Sequence, residues 1–421
     1  MLTRIPPALR HYRFRYLWLG MMVSIAGSQM QTTAVLWHVN ELSGEPIALG
    51  FVGLVRILPI LLFSLFAGAV ADVINRRHLI FFTQIVLALL AAILGTLTLS
   101  GRDSLPVIYA VLALSAAASS FDLPARQSLV PNLVPKEILT NAFSLTSISM
   151  QVGSIVGPAV AGLVLAKWGI ASAYYLNAFS YLAVIFALLL MGPVEQSRKD
   201  EDQGSEAAAG ERPLIPSVAE GLRFVFNQPI ILSSMLLDFF VTFFSNAITL
   251  LPIFAKDILF VGAQGYGLLS AAPALGAVLV AVLLSFRPSI RRQGKTIYGA
   301  VIGYGLATIL FGLSRNFWLT FFALAMTGVT DGLSAIIRNT LRQLQTPDHL
   351  RGRMTSVNQI FFRGGPQLGE VEAGIVAQIF GVAFSVVSGG IGCLLAVAWI
   401  AKRFPQLGKY RGDEPILAGV P

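Results

Sequence analysis

Apolar runs of ~20 residues recur from end to end of this 421-residue chain, each long enough for a helix to cross the ~30 Å hydrocarbon layer of a bilayer. Lipid offers no partner to a backbone N–H or C=O, so segments of this length must satisfy those groups within themselves, as helices. Twelve spans are expected, at 16–40, 47–71, 78–100, 104–124, 138–166, 171–192, 229–255, 264–286, 296–314, 317–340, 354–380 and 383–401. Soluble domains carry roughly 25% charged residues. Here 12% are charged and 55% are hydrophobic, a balance that only lipid can solvate. The opening MLTRIPPALRHYRFRY is basic and amphipathic and runs straight into a long apolar stretch, so no cleavable signal is expected. The single cysteine, Cys393, lies in a late apolar run. It excludes a disulfide framework and a cysteine-rich metal site and reads as packing.

A net charge of +9 raises the question of nucleic acid, but its placement answers it. With the N-terminus cytoplasmic, the outer loops hold four basic residues of 30, namely Arg102, Lys167, Lys256 and Arg315. Arg56 and Arg363 are among those inside spans, and the great majority fall in the segments on the other side. That asymmetry is the positive-inside signature of a multi-pass protein, and the basic clusters are expected to meet lipid head groups rather than nucleic acid. The stretch Glu195–Pro213, charged and free of aromatics, has the composition of a mobile linker. The expected organisation is therefore all-α: a six-helix bundle at 1–193, a cytoplasmic linker at 194–228, a second bundle at 229–404 and a cytoplasmic tail at 405–421.

The halves are repeats. Arg126-Gln-Ser-Leu, Pro135, Gly153, Gly157, Ala161 and Gly162 recur 212 residues later as Arg338-Asn-Thr-Leu, Pro347, Gly365, Gly369, Ala373 and Gly374. Gly53-Leu54 and Pro59 recur as Gly267-Leu268 and Pro273, offset by 214. Six spans return a chain to its starting side, so the repeats are parallel. A pseudo-twofold axis along the membrane normal follows, with a site between the halves near mid-membrane.

The loop after the second span reads Gly68-Ala-Val-Ala-Asp72-Val-Ile-Asn75-Arg76-Arg77. It resembles the signature loop of the major facilitator superfamily, with Val73 in place of a basic residue and Asn75 in place of the second glycine. Asn75 is expected to take the left-handed turn that glycine would take. Gly153-Ser-Ile-Val-Gly157-Pro158-Ala-Val-Ala161-Gly162 resembles the glycine–proline motif of that superfamily's antiporters. Pro124-Ala-Arg126-Gln-Ser-Leu-Val-Pro131 resembles the branch containing enterobactin exporters and macrolide-efflux proteins. The resemblance implies a twelve-helix transporter in the bacterial cytoplasmic (inner) membrane that exports a small molecule. Asp72 and Arg76 lie at i,i+4 at a cytoplasmic helix end, and Asp122 is placed at the matching end of the fourth span. Gly68, Asp72, Arg76, Arg77, Asp122 and Arg126 are thus expected to form a cytoplasmic gate, although Arg76 and Arg77 would also serve topology alone. Gly153, Gly157, Pro158 and Gly162 are expected to pack helices, not to touch cargo.

Ionisable side chains inside spans point to function, and helical phase sorts them. Ser356, Gln359, Arg363, Gln367 and Glu370 are spaced 3, 4, 4 and 3, one stripe on one face. Glu372 points ~200° away from Glu370. Further stripes are Asp238, Thr242, Ser245 and Thr249; Thr327, Asp331, Ser334 and Arg338; and Ser24, Ser28, Gln31 and His38, with Arg56 alone on the second span. Together they describe a water-filled cavity. Any single Ser or Thr among them fits helix–helix glue as well. A proton-coupled exporter needs a partly buried carboxyl that alternates between proton and cation or cargo. Glu370, Asp331 and Asp238 are the candidates, in that order. Gln31, His38, Arg56, Thr242, Ser245, Arg338, Gln359, Arg363 and Gln367 are candidates for the cavity wall. No Walker-type phosphate loop and no histidine metal motif occurs in the sequence. The reading is a monomeric secondary transporter, not an enzyme, without cofactor or metal, with a small amphipathic molecule and protons as its partners. A facilitator, a metal-ion exporter and a lysolipid flippase share the same pattern, while a membrane-embedded enzyme or sensor would need a nucleophile, a paired-metal site or an appended domain.

Overall fold

The computed structural model describes residues 5–194, 222–244, 247–286, 290–347 and 350–412. The linker expected at 194–228 thus falls largely outside the described residues, as does Ser245. So do the surroundings of Gly68 and the side chains of Asp72, Ser356, Gln359 and Arg363.

The helices are α1 (Tyr12–Ser43), α2 (Pro46–Val73), α3 (Arg76–Leu99) and α4 (Leu105–Leu129). A continuous stretch Leu139–Met191 follows, broken at Gly169 (φ 78, ψ 177) into α5 (139–168) and α6 (170–191). The second half has α7 (Pro229–Phe244), α8 (Gly262–Ser285), α9 (Gln293–Leu313), α10 (Phe317–Leu344), α11 (Arg351–Phe380) and α12 (Val382–Arg403). Among the described residues nine helical stretches are long and apolar enough to cross a membrane. One of them, Lys136–Met191, contains both arms of the α5–α6 hairpin. The polar-rich α1 and α11 are not among the nine. Large apolar side chains stand outward, including Phe82, Trp168, Phe179 and Leu395, the surface of a protein whose solvent is hydrocarbon.

Two local expectations are corrected. Asn75 is not left-handed: it sits at φ −57, ψ 115, and its side chain accepts from the backbone N–H of Arg77 and His78, at 3.0 Å and 3.4 Å. Asparagine is among the best N-caps, and capping α3 satisfies this position without a positive φ. The fourth span, expected to end at 124, runs through Pro124 to Leu129. Asp122 therefore lies two turns before the end of this helix and Arg126 in its last turn. Neighbouring groups in a bundle re-satisfy the carbonyl that proline frees, so a membrane helix tolerates it.

The chain divides into two compact units, one of 1–198 with 251–271, the other of 199–250 with 272–421. The first is held by α1 against the α5–α6 hairpin, α3 against the same hairpin, and α2 against α4. Its core includes Phe14, Leu17, Ile80, Leu129 and Val184. Residues 251–271, which the sequence reading assigned to the second bundle, group here. Gly162 and Gly267 meet so closely that a Cβ on Gly267 would lie 2.6 Å from the Gly162 Cα. The Tyr266 hydroxyl donates to the Thr33 carbonyl at 3.0 Å. The second unit packs α9 against α10 and α12, and α7 against α11. Its core is built from Leu237, Val301, Ile337, Cys393 and Ile400, among others.

The repeat is visible in how each unit closes. A Cβ on Gly153 would meet Ile25 at 2.6 Å, and one on Gly157 would meet Gln29 at 2.6 Å and the Ala26 carbonyl at 2.7 Å. In the second unit the counterparts Gly365 and Gly369 press on Thr242 and Phe243, with the Phe243 carbonyl 2.3 Å from a Cβ on Gly369. The first helix of each half thus seats on the glycine face of the fifth, as small residues allow in membranes.

Candidate functional site

In the first unit a cavity of about 610 Å3 opens among α1, α3, α4, α5 and α6. Met21, Leu87, Leu123, Phe143 and Met150 give it apolar walls. Ser24, Ser28, Gln29, Ser147 and Tyr181 place polar groups between them. One ion pair faces it: the Arg126 Nε donates to the Asp122 carboxylate across one turn of α4. The other Asp122 oxygen accepts from the Thr83 hydroxyl at 2.9 Å and the Gln84 amide at 3.0 Å, both on α3. Three donors thus converge on the Asp122 carboxylate, one of them the Arg126 cation, and such charge-assisted bonds are the strong ones. The sequence reading missed Thr83, Gln84 and Tyr181. They are scattered polar residues in apolar runs, and only the fold turns them inward.

The α1 stripe does share one face, but its members part company. Ser24 and Ser28 line the cavity, whereas Gln31 and His38 are buried outside that lining. Gln31 accepts from the Asn177 amide at 2.6 Å. His38 lies 2.6 Å from an Asp103 oxygen through Nε2 and 2.8 Å from the Tyr174 hydroxyl through Nδ1. These contacts tie α1 to α6 and to the α3–α4 connection. Arg56 is half-buried on α2. Arg76 Nη1 donates to the Ser128 carbonyl at 3.0 Å, and Arg77 donates through Nε and Nη2 to the Leu188 carbonyl. Both arginines thus cap carbonyls near the ends of α4 and α6, where helices leave acceptors unsatisfied.

The second unit holds a denser charge cluster. Arg338 is 1% exposed. Its Nη2 lies 2.9 Å from an Asp238 oxygen and 3.3 Å from an Asp331 oxygen. The other Asp238 oxygen is 3.4 Å from Arg342 Nη2. Arg342 also donates through Nε to the Arg338 carbonyl at 3.1 Å and through Nη1 to Asn358. Asp238 is buried while the Asp331 side chain is 44% exposed, so the cluster has an exposed edge and a buried centre. Arg342 was not singled out from the sequence, where it reads as a loop charge; its i,i+4 relation to Arg338 was the available signal. The Thr242 hydroxyl returns to its own helix, donating to the Asp238 carbonyl at 2.8 Å. On α11, Gln367, Glu370 and Glu372 are all half-buried.

Comparison with known proteins agrees with this architecture. Residues 5–411 match the family described as transmembrane secretion effectors. The chain is similar to a staphyloferrin A transporter of Staphylococcus aureus, 26% identical over 401 residues, which cover 92% of this chain and 96% of the relative. It is also similar to an enterobactin exporter of Citrobacter koseri, 26% identical over 415 residues, covering 98% and 96%. A bacterial homologue of the human lysosomal transporter Spinster, solved inward-facing and unoccupied, superposes with a TM-score of 0.74 at 15% identity over 96% of this chain and 97% of that one. That likeness shows the fold.

Proposed function

From the premise that the chain belongs to the transmembrane secretion effector family of the major facilitator superfamily, and so is a multi-pass membrane transporter, we propose that it exports a small amphipathic molecule by alternating access in exchange for protons. The cargo is of drug, siderophore or metabolite type. The observation that carries this reading is the cavity of about 610 Å3 in the first unit, where apolar walls alternate with hydroxyls, amides and one ion pair. A site of that size suits a drug-sized body, and its mixed lining suits cargo with an apolar frame and a few polar groups. The relatives named for staphyloferrin A and enterobactin lend support for cargo of this kind.

The drive is assigned to the second-unit carboxyls Glu370, Asp331 and Asp238. The exposure of Asp331 at the edge of the arginine cluster supports a role in proton exchange, while Asp238 lies at its centre. Gly68, Asp72, Arg76 and Arg77 form the cytoplasmic gate. The protein works as a monomer in the bacterial cytoplasmic membrane with both termini inside. The test is a reconstituted vesicle with an imposed pH gradient, scanned with amphipathic organic molecules of either charge. A member of that panel should collapse part of the gradient as it moves, and move faster when the gradient is steeper. Transport that is indifferent to the gradient would leave a facilitator.

A further inference from the structure

The Asp122–Arg126 pair is unevenly spent. Asp122 accepts from three donors. Arg126 uses Nε on Asp122, and its two Nη groups have no partner among the described residues. The side chain lines the cavity. What the pair offers to a cavity occupant is therefore a set of charged donors, with no free carboxylate oxygen. Its natural ligand is a deprotonated oxygen acid, since a guanidinium fork matches such a group.

The neighbours of Asp122 say what happens next. An oxyanion on Arg126 competes with Asp122 for the guanidinium, and a buried carboxylate that loses its cation favours the neutral form. A neutral carboxyl is a donor and needs an acceptor. Thr83 and Gln84 can both reverse roles. The Thr83 hydroxyl already lies 2.9 Å from the Ile80 carbonyl, so it can donate there and accept from Asp122. The Gln84 Oε1 is buried without a partner among the described residues, and turning the amide brings that acceptor to Asp122. The charged and titratable groups of the cavity wall besides Asp122 are Arg126 on its own helix and Tyr181 on α6. The lining from α1, α3 and α5 consists of serines, a threonine, glutamines and apolar side chains.

We propose that the first-unit cavity binds an amphipathic oxyanion on the Arg126 Nη groups and that Asp122 takes up one proton as it does so. The proton moves from solvent to an Asp122 oxygen, no other bond changes, and the occupied cavity is as neutral as the empty one. This rests on the transporter reading for the cavity being a cargo site, and its proton is distinct from those assigned to Glu370, Asp331 and Asp238.

The experiment uses the purified full chain in detergent and three probes with one apolar body: naphthalene-2-carboxylate, 2-naphthylmethanol and (2-naphthylmethyl)trimethylammonium. Calorimetric titration in two buffers of different ionisation enthalpy counts protons. The carboxylate should bind about tenfold or more tightly than the ammonium, a gap of ~1.4 kcal/mol, with close to one proton taken up. Asp122→Asn should keep carboxylate binding and abolish the proton uptake. Asp122→Asn/Arg126→Gln, which leaves no lone buried charge, should lose the preference for the carboxylate. Tighter binding of the ammonium, carboxylate binding without a proton, uptake persisting in Asp122→Asn, or binding of none of the three at millimolar concentration each overturns the assignment. Carboxylate and proton binding by a protein that moves nothing in pH-loaded vesicles would keep this inference and sink the exporter. Gradient-driven transport with none of the binding signatures would do the reverse.

Discussion

Arg126 and Arg338 occupy the same place in the two copies of one sequence block, 212 residues apart, and each is neutralised by a different route. Arg126 finds its carboxylate one turn away on α4, beside a cavity. Arg338 finds one on α7 and one two turns away on α10, with Arg342 closing the cluster. The first arrangement keeps two nitrogens within reach of an occupant; in the second, Arg338 turns one nitrogen to two carboxylates and buries its Nε and Nη1 without a partner among the described residues. A repeated arginine thus borders a cavity in one half and joins an ion-pair cluster in the other. The divergence lies in the partners, since the arginine itself is unchanged.

The largest effects are expected where the halves still agree. Gly157→Leu and Gly369→Leu should each abolish recovery of folded protein from membranes, read as loss of the monodisperse peak in size-exclusion chromatography, because each side chain would strike the backbone of the facing helix. With alanine the halves should separate: Gly369→Ala should be the more destabilised, having a carbonyl at 2.3 Å against 2.6 Å for the nearest atom at Gly157. Equal behaviour of the two alanine variants would argue that the helix seats relax alike.

Next in size is the arginine itself. Arg338→Gln leaves Asp238 buried with Arg342 as its remaining cation and should destabilise the protein by ~3–5 kcal/mol, as breaking a buried pair does. Arg126→Gln, beside a cavity and with Thr83 and Gln84 still on Asp122, should lose ~1–3 kcal/mol. Thermal unfolding of the two variants side by side measures the gap, and a larger loss for Arg126→Gln would reverse the expected order of the second-unit cluster over the cavity-side pair.

The third test contrasts carboxyls within the second half. Glu370 stands at the repeat position of Pro158 and shares its face with Gln367. Glu370→Gln should remove cargo-evoked proton movement in proteoliposomes while binding persists, and Glu372→Gln should lower stability more than coupling. Normal proton movement in Glu370→Gln would shift the assignment to Asp331 and then Asp238. The smallest effect belongs to Gly299→Ala. A Cβ there meets nothing within 4 Å, so stability should rise by about 1 kcal/mol or less, a baseline for the other variants.

What the sequence made legible follows from range. Span positions and the repeat depend on hydrophobic runs and on spacing along one chain, and the helices fall where those runs lie. The stripe Asp331–Arg338 was legible for the same reason: i and i+7 share a face of one helix, and these two side chains touch. The end of the fourth span was set five residues short because the apolar run stops at Pro124, while the bundle carries the helix on to Leu129. Gln31 and His38 were grouped with Ser24 and Ser28 by phase, but phase says only that residues share a face. Whether that face meets water or Asn177 and Tyr174 is decided by helices more than a hundred residues away.

The pairing of Asp122 with Arg126 on a single helix bears on how the chain is made. An arginine at the centre of a helix leaving the translocon costs ~2.5–3.5 kcal/mol, and a bare one nearer the end still carries part of that cost. Helix α4 brings its own counter-ion at i+4 and can partition as a neutral rod before any neighbour arrives. Helix α10 carries Arg338 and Arg342 against Asp331 alone and is one negative charge short. That charge is Asp238 on α7, which the ribosome has already delivered. In both halves the order of synthesis puts the compensating acid in place no later than the base that needs it.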